Sequence, residues 1–197
     1  MGELSRDIIR NDKNKKNVSI KVNLKEMFDI PFFPEDDGLR QAIGQAIIDK
    51  ITANTLNSKF LSGSSSKGYS KEYAESDEGL IYGKKKGEKA NLKASGDMLA
   101  SMEVYLPSDA NYVVIDFTDS LESEKAHGHI TGNKNGPGVK RDFFGLDNKD
   151  LKSIMSDFES TVMDAAAATL ANDTVSQGDQ SNLDFVLGLL NGQSNQG

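Results

Sequence analysis

Two apolar stripes at helical spacing fix most of what this chain can fold into. Leu39, Ile43, Ile47 and Ile51 recur every fourth residue after a break at Pro31, Pro34 and the acidic group Glu35, Asp36 and Asp37. That period puts one apolar face on a helix running from about 38 to 56. Leu151, Ile154, Met155, Phe158 and Val162 repeat the pattern on a longer helix of about 147–170, with Asp147 as its cap and Asp150 in its first turn. The run Ala165–Ala168 lets that helix approach a neighbour closely. Neither stripe is stable in water by itself, so each needs a sheet or another helix over it.

The intervening sequence supplies the sheet. Val18, Ile20, Val22 and Leu24 alternate with Ser19, Lys21 and Asn23, the period of a half-buried strand. Met102–Leu106 and Tyr112–Phe117 read as an antiparallel hairpin around Pro107–Asn111, with Val113 and Ile115 on one face. Tyr69–Ala74 starts a short helix before a loop at 83–91, and its tyrosines, Tyr69 and Tyr73, have the spacing of core or subunit contacts. The serines and glycines from Leu61 to Gly68 form a flexible link. The chain therefore reads as α+β, an antiparallel sheet packed with two longer helices. With 197 residues and 37% hydrophobic content, one core is the natural outcome. That core is assigned to a domain of residues 17–171, with an extended N-terminal arm over 1–16 and a flexible C-terminal tail over 172–197. Within the polar tail sits an apolar island, Leu183–Leu190, which either folds back on the domain or docks on a neighbour.

Composition narrows the function classes. There is no cysteine, and Met1–Lys16 is polar and charged with only Ile8 and Ile9 adjacent, so the chain is expected to be soluble, without a membrane span, and made in a reducing cytoplasm. The formal net charge of -7 opposes sequence-reading DNA binding, which needs clustered positive charge. The basic runs are short: Lys13, Lys15 and Lys16 in the arm, and Lys84, Lys85 and Lys86 at a loop tip between Gly83 and Gly87. The second run lacks the length and the Lys-Ser/Thr ending of a phosphate-binding loop. The sequence has no Gly-x-Ser-x-Gly elbow and no serine paired with a histidine in a recognisable arrangement. His127 and His129, read as alternate residues of a strand or loop, would share a face, but Glu122 and Glu124 do not stand at spacings that secure a third metal ligand. No catalytic residue, metal or cofactor is assigned, and the chain is not expected to be an enzyme.

Three motifs remain. The first is Leu92-Lys-Ala-Ser-Gly-Asp-Met-Leu99, a short helix start that Ser95 is expected to cap, followed by the strand pair as a packing unit without a polar pocket. The second is Ala126-His-Gly-His-Ile-Thr-Gly132, and the third is Arg141-Asp-Phe-Phe-Gly-Leu146, leading into the long helix. Their order over residues 38–170 resembles the tail-completion and virion-morphogenesis proteins of tailed bacteriophages, small neck proteins that join a DNA-filled head to a tail. Leu92, Ser95, Gly96, Met98 and Leu99 match the first motif of that family. Ala126, His129 and Gly132 match the second, and Arg141, Phe143, Phe144, Gly145 and Leu146 the third. Where the family has proline before the arginine, this chain has Lys140, and its nearest proline is Pro137. The resemblance implies a structural virion protein, a tail terminator or tail-completion component. It would form a homo-oligomeric ring, hexameric like the tail tube, with other neck and tail proteins as partners and genomic DNA passing through unbound.

A head-side connector, following a dodecameric portal, is the alternative within that class. A metal-dependent hydrolase using His127 and His129 is the alternative outside it. Assembly in the host cytoplasm and residence in the virion neck go with the ring reading. On that reading Arg141, Phe143, Phe144, Leu183, Phe185 and Leu187 are the candidate subunit or neighbour contacts. One of the rings Phe143 and Phe144 is expected in the core and the other over a subunit seam, and Lys84, Lys85 and Lys86 are candidates for a loop facing the lumen.

Overall fold

The computed structural model describes residues 18–61, 68–132 and 139–177. β1 (Ile20–Asn23) is shorter than the alternating run implied, because Asn23 ends it by capping α1 (Leu24–Phe28), its side-chain oxygen accepting the Glu26 N–H at 3.2 Å. Leu24, expected to close the strand, thus opens a helix and is fully buried in it. The chain next forms α2 (Asp37–Leu56), where the Asp36 carboxylate caps by accepting the Leu39 N–H at 2.9 Å. α3 (Lys71–Ala74) is followed at once by α4 (Asp77–Ile81), a turn with no periodicity of its own that is set by the Ser76 hydroxyl capping Gly79 N–H. α5 (Asp97–Ala100) leads into β2 (Met102–Tyr105) and β3 (Tyr112–Phe117), the expected hairpin.

α6 (Ser120–Thr131) occupies the segment read from sequence as a strand or loop around His127 and His129. Two glycines and two histidines gave that segment little helical signal. Helix is imposed by Asp119, which caps through Leu121 and Glu122 N–H, and by Ala126 and Ile130, four apart and buried. α7 (Asn148–Gln177) begins as expected, with Asp147 accepting the Asp150 N–H at 2.9 Å, but runs six residues beyond Ala171, where the tail was placed. Residues 1–17, including the N-terminal arm, and the island Leu183–Leu190 lie outside the described residues.

The sheet is antiparallel in the order β1-β3-β2, with Ile20 opposite Ile115 and Val104 opposite Ile115 on its other side. Strand alternation sends Val113, Ile115 and Phe117 of the central strand inward, joined by Ile20 and Val22. α2 packs across β2 and β3 with its Ile43, Ile47 and Ile51 stripe, and α7 lies against α2 and α1, so the two stripes share one core. The approach of α2 to β2 is close because Gly44 has no side chain: a Cβ there would stand 2.6 Å from Val104 Cγ1. On the other side, α6 contacts β3 and α5, and this is where the three motifs meet.

Candidate functional site

Each motif is anchored by a short local device. In the first, Gly96 rather than Ser95 takes the capping position, with φ 98°, a conformation that glycine adopts without strain; Ser95 Oγ accepts the Asp97 N–H at 3.3 Å instead. Met98 and Leu99 then enter the core. In the second, α6 ends at Gly132, whose φ of 69° lets its N–H close on Gly128 O at 3.0 Å. A Cβ at Gly132 would stand 3.0 Å from Lys140 N, so the chain entering the third motif runs hard against the helix end. That contact is sealed by Arg141 N–H donating to His129 O at 2.7 Å. Phe144 reaches Phe117 of β3, ring centroids 5.0 Å apart, and Phe143 at 6.0 Å.

Between the motifs lies a cavity of about 840 Å³, within the range of small-ligand sites. The first motif contributes Ser95–Met98, the second His129 and the third Arg141, while Tyr69, Tyr73 and Tyr82 form the facing wall. The segment read as a packing unit without a polar pocket therefore borders one. α3 and α4 hold the tyrosine wall: Tyr69 and Tyr73 stack at 5.2 Å, and the Tyr69 hydroxyl donates to Asn91 Oδ1 at 3.1 Å.

The electrostatics of the cavity centre on Arg141, which is only 6% exposed. Among the described residues its Nε finds no acceptor and no carboxylate forms an ion pair with it. Burial lowers its pKa against the opposing influence of Tyr69 and Tyr73, yet a guanidinium stays charged at neutral pH. His129 feels both burial and Arg141, which together bring its pKa down to about 4 and leave the imidazole neutral. Glu122, from the first turn of α6, accepts from Lys125 Nζ on Oε1 at 2.6 Å while its buried Oε2 has no partner among the described residues. Burial raises the pKa of the Tyr73 hydroxyl, reinforced by Glu78.

The remaining candidates are dispersed. His127 and His129 are two residues apart on a helix, hence about 200° apart around its axis, and among the described residues no group of three or more His, Cys, Asp or Glu is placed to hold a metal ion. Phe143 and Phe144 are 1% and 4% exposed, so the single chain buries both rings and the division between a core ring and a seam ring is not found in it. Lys84 donates to Asn91 Oδ1 at 3.2 Å and lies 5.4 Å over the Tyr69 ring, whereas Lys85 and Lys86 are exposed. Leu183, Phe185 and Leu187 fall outside the described residues. Sequence reasoning missed Tyr82 and the pocket role of Glu122; the one available signal was the four-residue spacing of Tyr69 and Tyr73. Comparison of the chain with protein-family models, curated proteins and solved structures finds no match.

Proposed function

We propose that the chain is a structural component of a tailed-bacteriophage neck, a tail terminator or tail-completion protein that closes into a ring joining head to tail. The observation that carries this reading is the convergence of the three motifs. Segments starting at residues 92, 126 and 141 pack together through the contact of α5 with α6 and the Arg141–His129 backbone bond, and Phe144 of the third segment reaches Phe117 of β3.

Surface character agrees with assembly. Ile81 is 77% exposed, Leu80 66%, Tyr105 62% and Leu121 59%, and apolar side chains of this size on a small acidic domain suit burial between subunits. Among the described residues no helix is long and apolar enough to cross a membrane, and residence in the virion goes with the neck reading. Native mass spectrometry with negative-stain imaging of the purified chain tests the proposal. Closed sixfold rings are the expected result; twelvefold rings would move the chain to the head-side connector, and a persistent monomer at high concentration would remove the ring reading.

A further inference from the structure

Apart from Arg141, a contact candidate on the ring reading, that reading makes no use of the cavity lining, and binding in the cavity can be measured whether or not a ring forms. An arginine only 6% exposed, whose Nε has no acceptor among the described residues, is costly unless something supplies one. The same cavity holds the opposite deficit, the buried Glu122 Oε2 without a donor among the described residues. The charged lining comprises Lys125 and Arg141 against Glu78, Asp97 and Glu122, and Lys125 is already spent on Glu122 at 2.6 Å. That balance leaves Arg141 as the available cation and disfavours a doubly charged anion such as phosphate, which three carboxylates repel. Tyr69, Tyr73 and Tyr82 add aromatic surface, which suits an apolar or aromatic body.

We propose that this cavity binds a monoanionic carboxylate with an apolar or aromatic body, Arg141 donating to the carboxylate and Glu122 accepting from an N–H or O–H of the same ligand. A planar fork of donors meeting a carboxylate is the pairing for which arginine geometry is best suited. An N-acylated amino acid has all three elements, and so does an acidic side chain within a peptide. The shared chemistry therefore has two sources, a free small molecule or an acidic-apolar protein segment.

N-acetyl-L-phenylalanine is a direct probe, with its primary amide as the control lacking the charge. The chain has no tryptophan and five tyrosines, three of them on the cavity wall, so tyrosine emission reports occupancy. In titrations of the full chain at about pH 8, where inorganic phosphate is mainly the dianion, the acid should saturate at roughly millimolar concentration, and the amide should bind about tenfold or more weaker. Inorganic phosphate at equal concentration should not displace the acid, and Arg141→Gln should abolish the preference for acid over amide. Because the acid and amide are compared on the unaltered chain, the test does not depend on that variant folding. Equal binding of acid and amide, no saturation by either, or displacement by phosphate would overturn the proposal. A peptide spanning residues 181–187, in which Asp184 precedes Phe185, separates the sources. Competition tighter than that of N-acetyl-L-phenylalanine assigns the site to a protein segment, and weaker competition to a small carboxylate.

Discussion

Asp150 shows how one side chain ties two elements together. Its carboxylate, 6% exposed, accepts Asn54 Nδ2 at 2.7 Å and Lys59 Nζ at 2.9 Å, and lies 3.3 Å from Lys50 Nζ, so the first turn of α7 is pinned to the last turns of α2 and the residues after it. Burial alone would raise its pKa, but hydrogen bonds from Lys59, Asn54 and Lys50 outweigh it and hold the value at about 2. The folded carboxyl thus binds its proton less tightly than the unfolded one. The resulting stabilisation, about 2 kcal/mol, is complete above pH ~4 and disappears as pH falls toward ~2. His129 works in the same direction over a higher window. Its folded pKa of about 4 lies below the ordinary 6.5, so stability also declines as pH falls from 6.5 to 4. Urea unfolding of the intact chain and Asp150→Asn at pH 7, 4.5 and 3 should separate the two. Both proteins should weaken between pH 7 and 4.5, but only the intact chain should lose its extra increment below that. Parallel curves down to pH 3 would show that Asp150 is not the group responsible.

At the scale of elements, Arg40 clamps α2 onto the β2–β3 hairpin. It is 4% exposed, pairs with Asp37 Oδ1 at 2.7 Å, and donates through Nη2 to the carbonyls of Pro107, Asp109 and Tyr112 at 2.7, 3.2 and 2.8 Å. Arg40→Leu leaves those carbonyls without their donor and should cost about 3 kcal/mol in chemical denaturation. Arg40→Lys, a point cation without the fork, should recover only part of that. A loss below ~0.5 kcal/mol for the leucine variant would mean that water replaces the clamp. Nothing in the sequence marks this arginine, because a charged residue inside an amphipathic helix reads as solvated until the fold brings residues 107–112 beside it. The helices α2 and α7 and the hairpin were legible because their apolar periods, about four residues and two, are local. α6 was not, since its buried positions Ala126 and Ile130 are too few to outweigh Gly128 and the paired histidines. The cavity escaped for a further reason: its walls come from residues 68–82, 92–98, 122–129 and 139–141, and a pocket is a property of their meeting, although one of its residues, Arg141, had already stood out as a contact candidate.

The whole molecule combines an acidic balance, 30 acidic against 23 basic residues, with exposed apolar side chains at Leu80, Ile81, Tyr105 and Leu121. On the ring reading, a chain ending at Gln177 should keep the thermal unfolding of the intact protein, because the described core around the sheet, α2 and α7 is built from residues before that point. It should join heads to tails less well if Leu183–Leu190 docks on a neighbour; a collapse in thermal stability would instead assign that segment to the domain's own core. Charge makes the sharper prediction. DNA affinity grows with each phosphate neutralised by Lys or Arg, so a conduit that must let the duplex pass gains nothing from basic walls. The lysine loop contributes little even if it faces the lumen, since Lys84 is engaged with Asn91 and the Tyr69 ring, leaving Lys85 and Lys86 as its exposed members. On the ring reading, an acidic wall elsewhere would repel the duplex evenly and keep it centred. Filter binding of random-sequence duplex to the assembled protein at physiological salt should therefore show no affinity tighter than about 1 µM, the strong end of ordinary non-specific binding. Tighter binding that falls steeply with added salt would replace the passive conduit with a DNA clamp, and loss of that binding in a Lys85→Ala, Lys86→Ala double variant would locate the clamp at the loop.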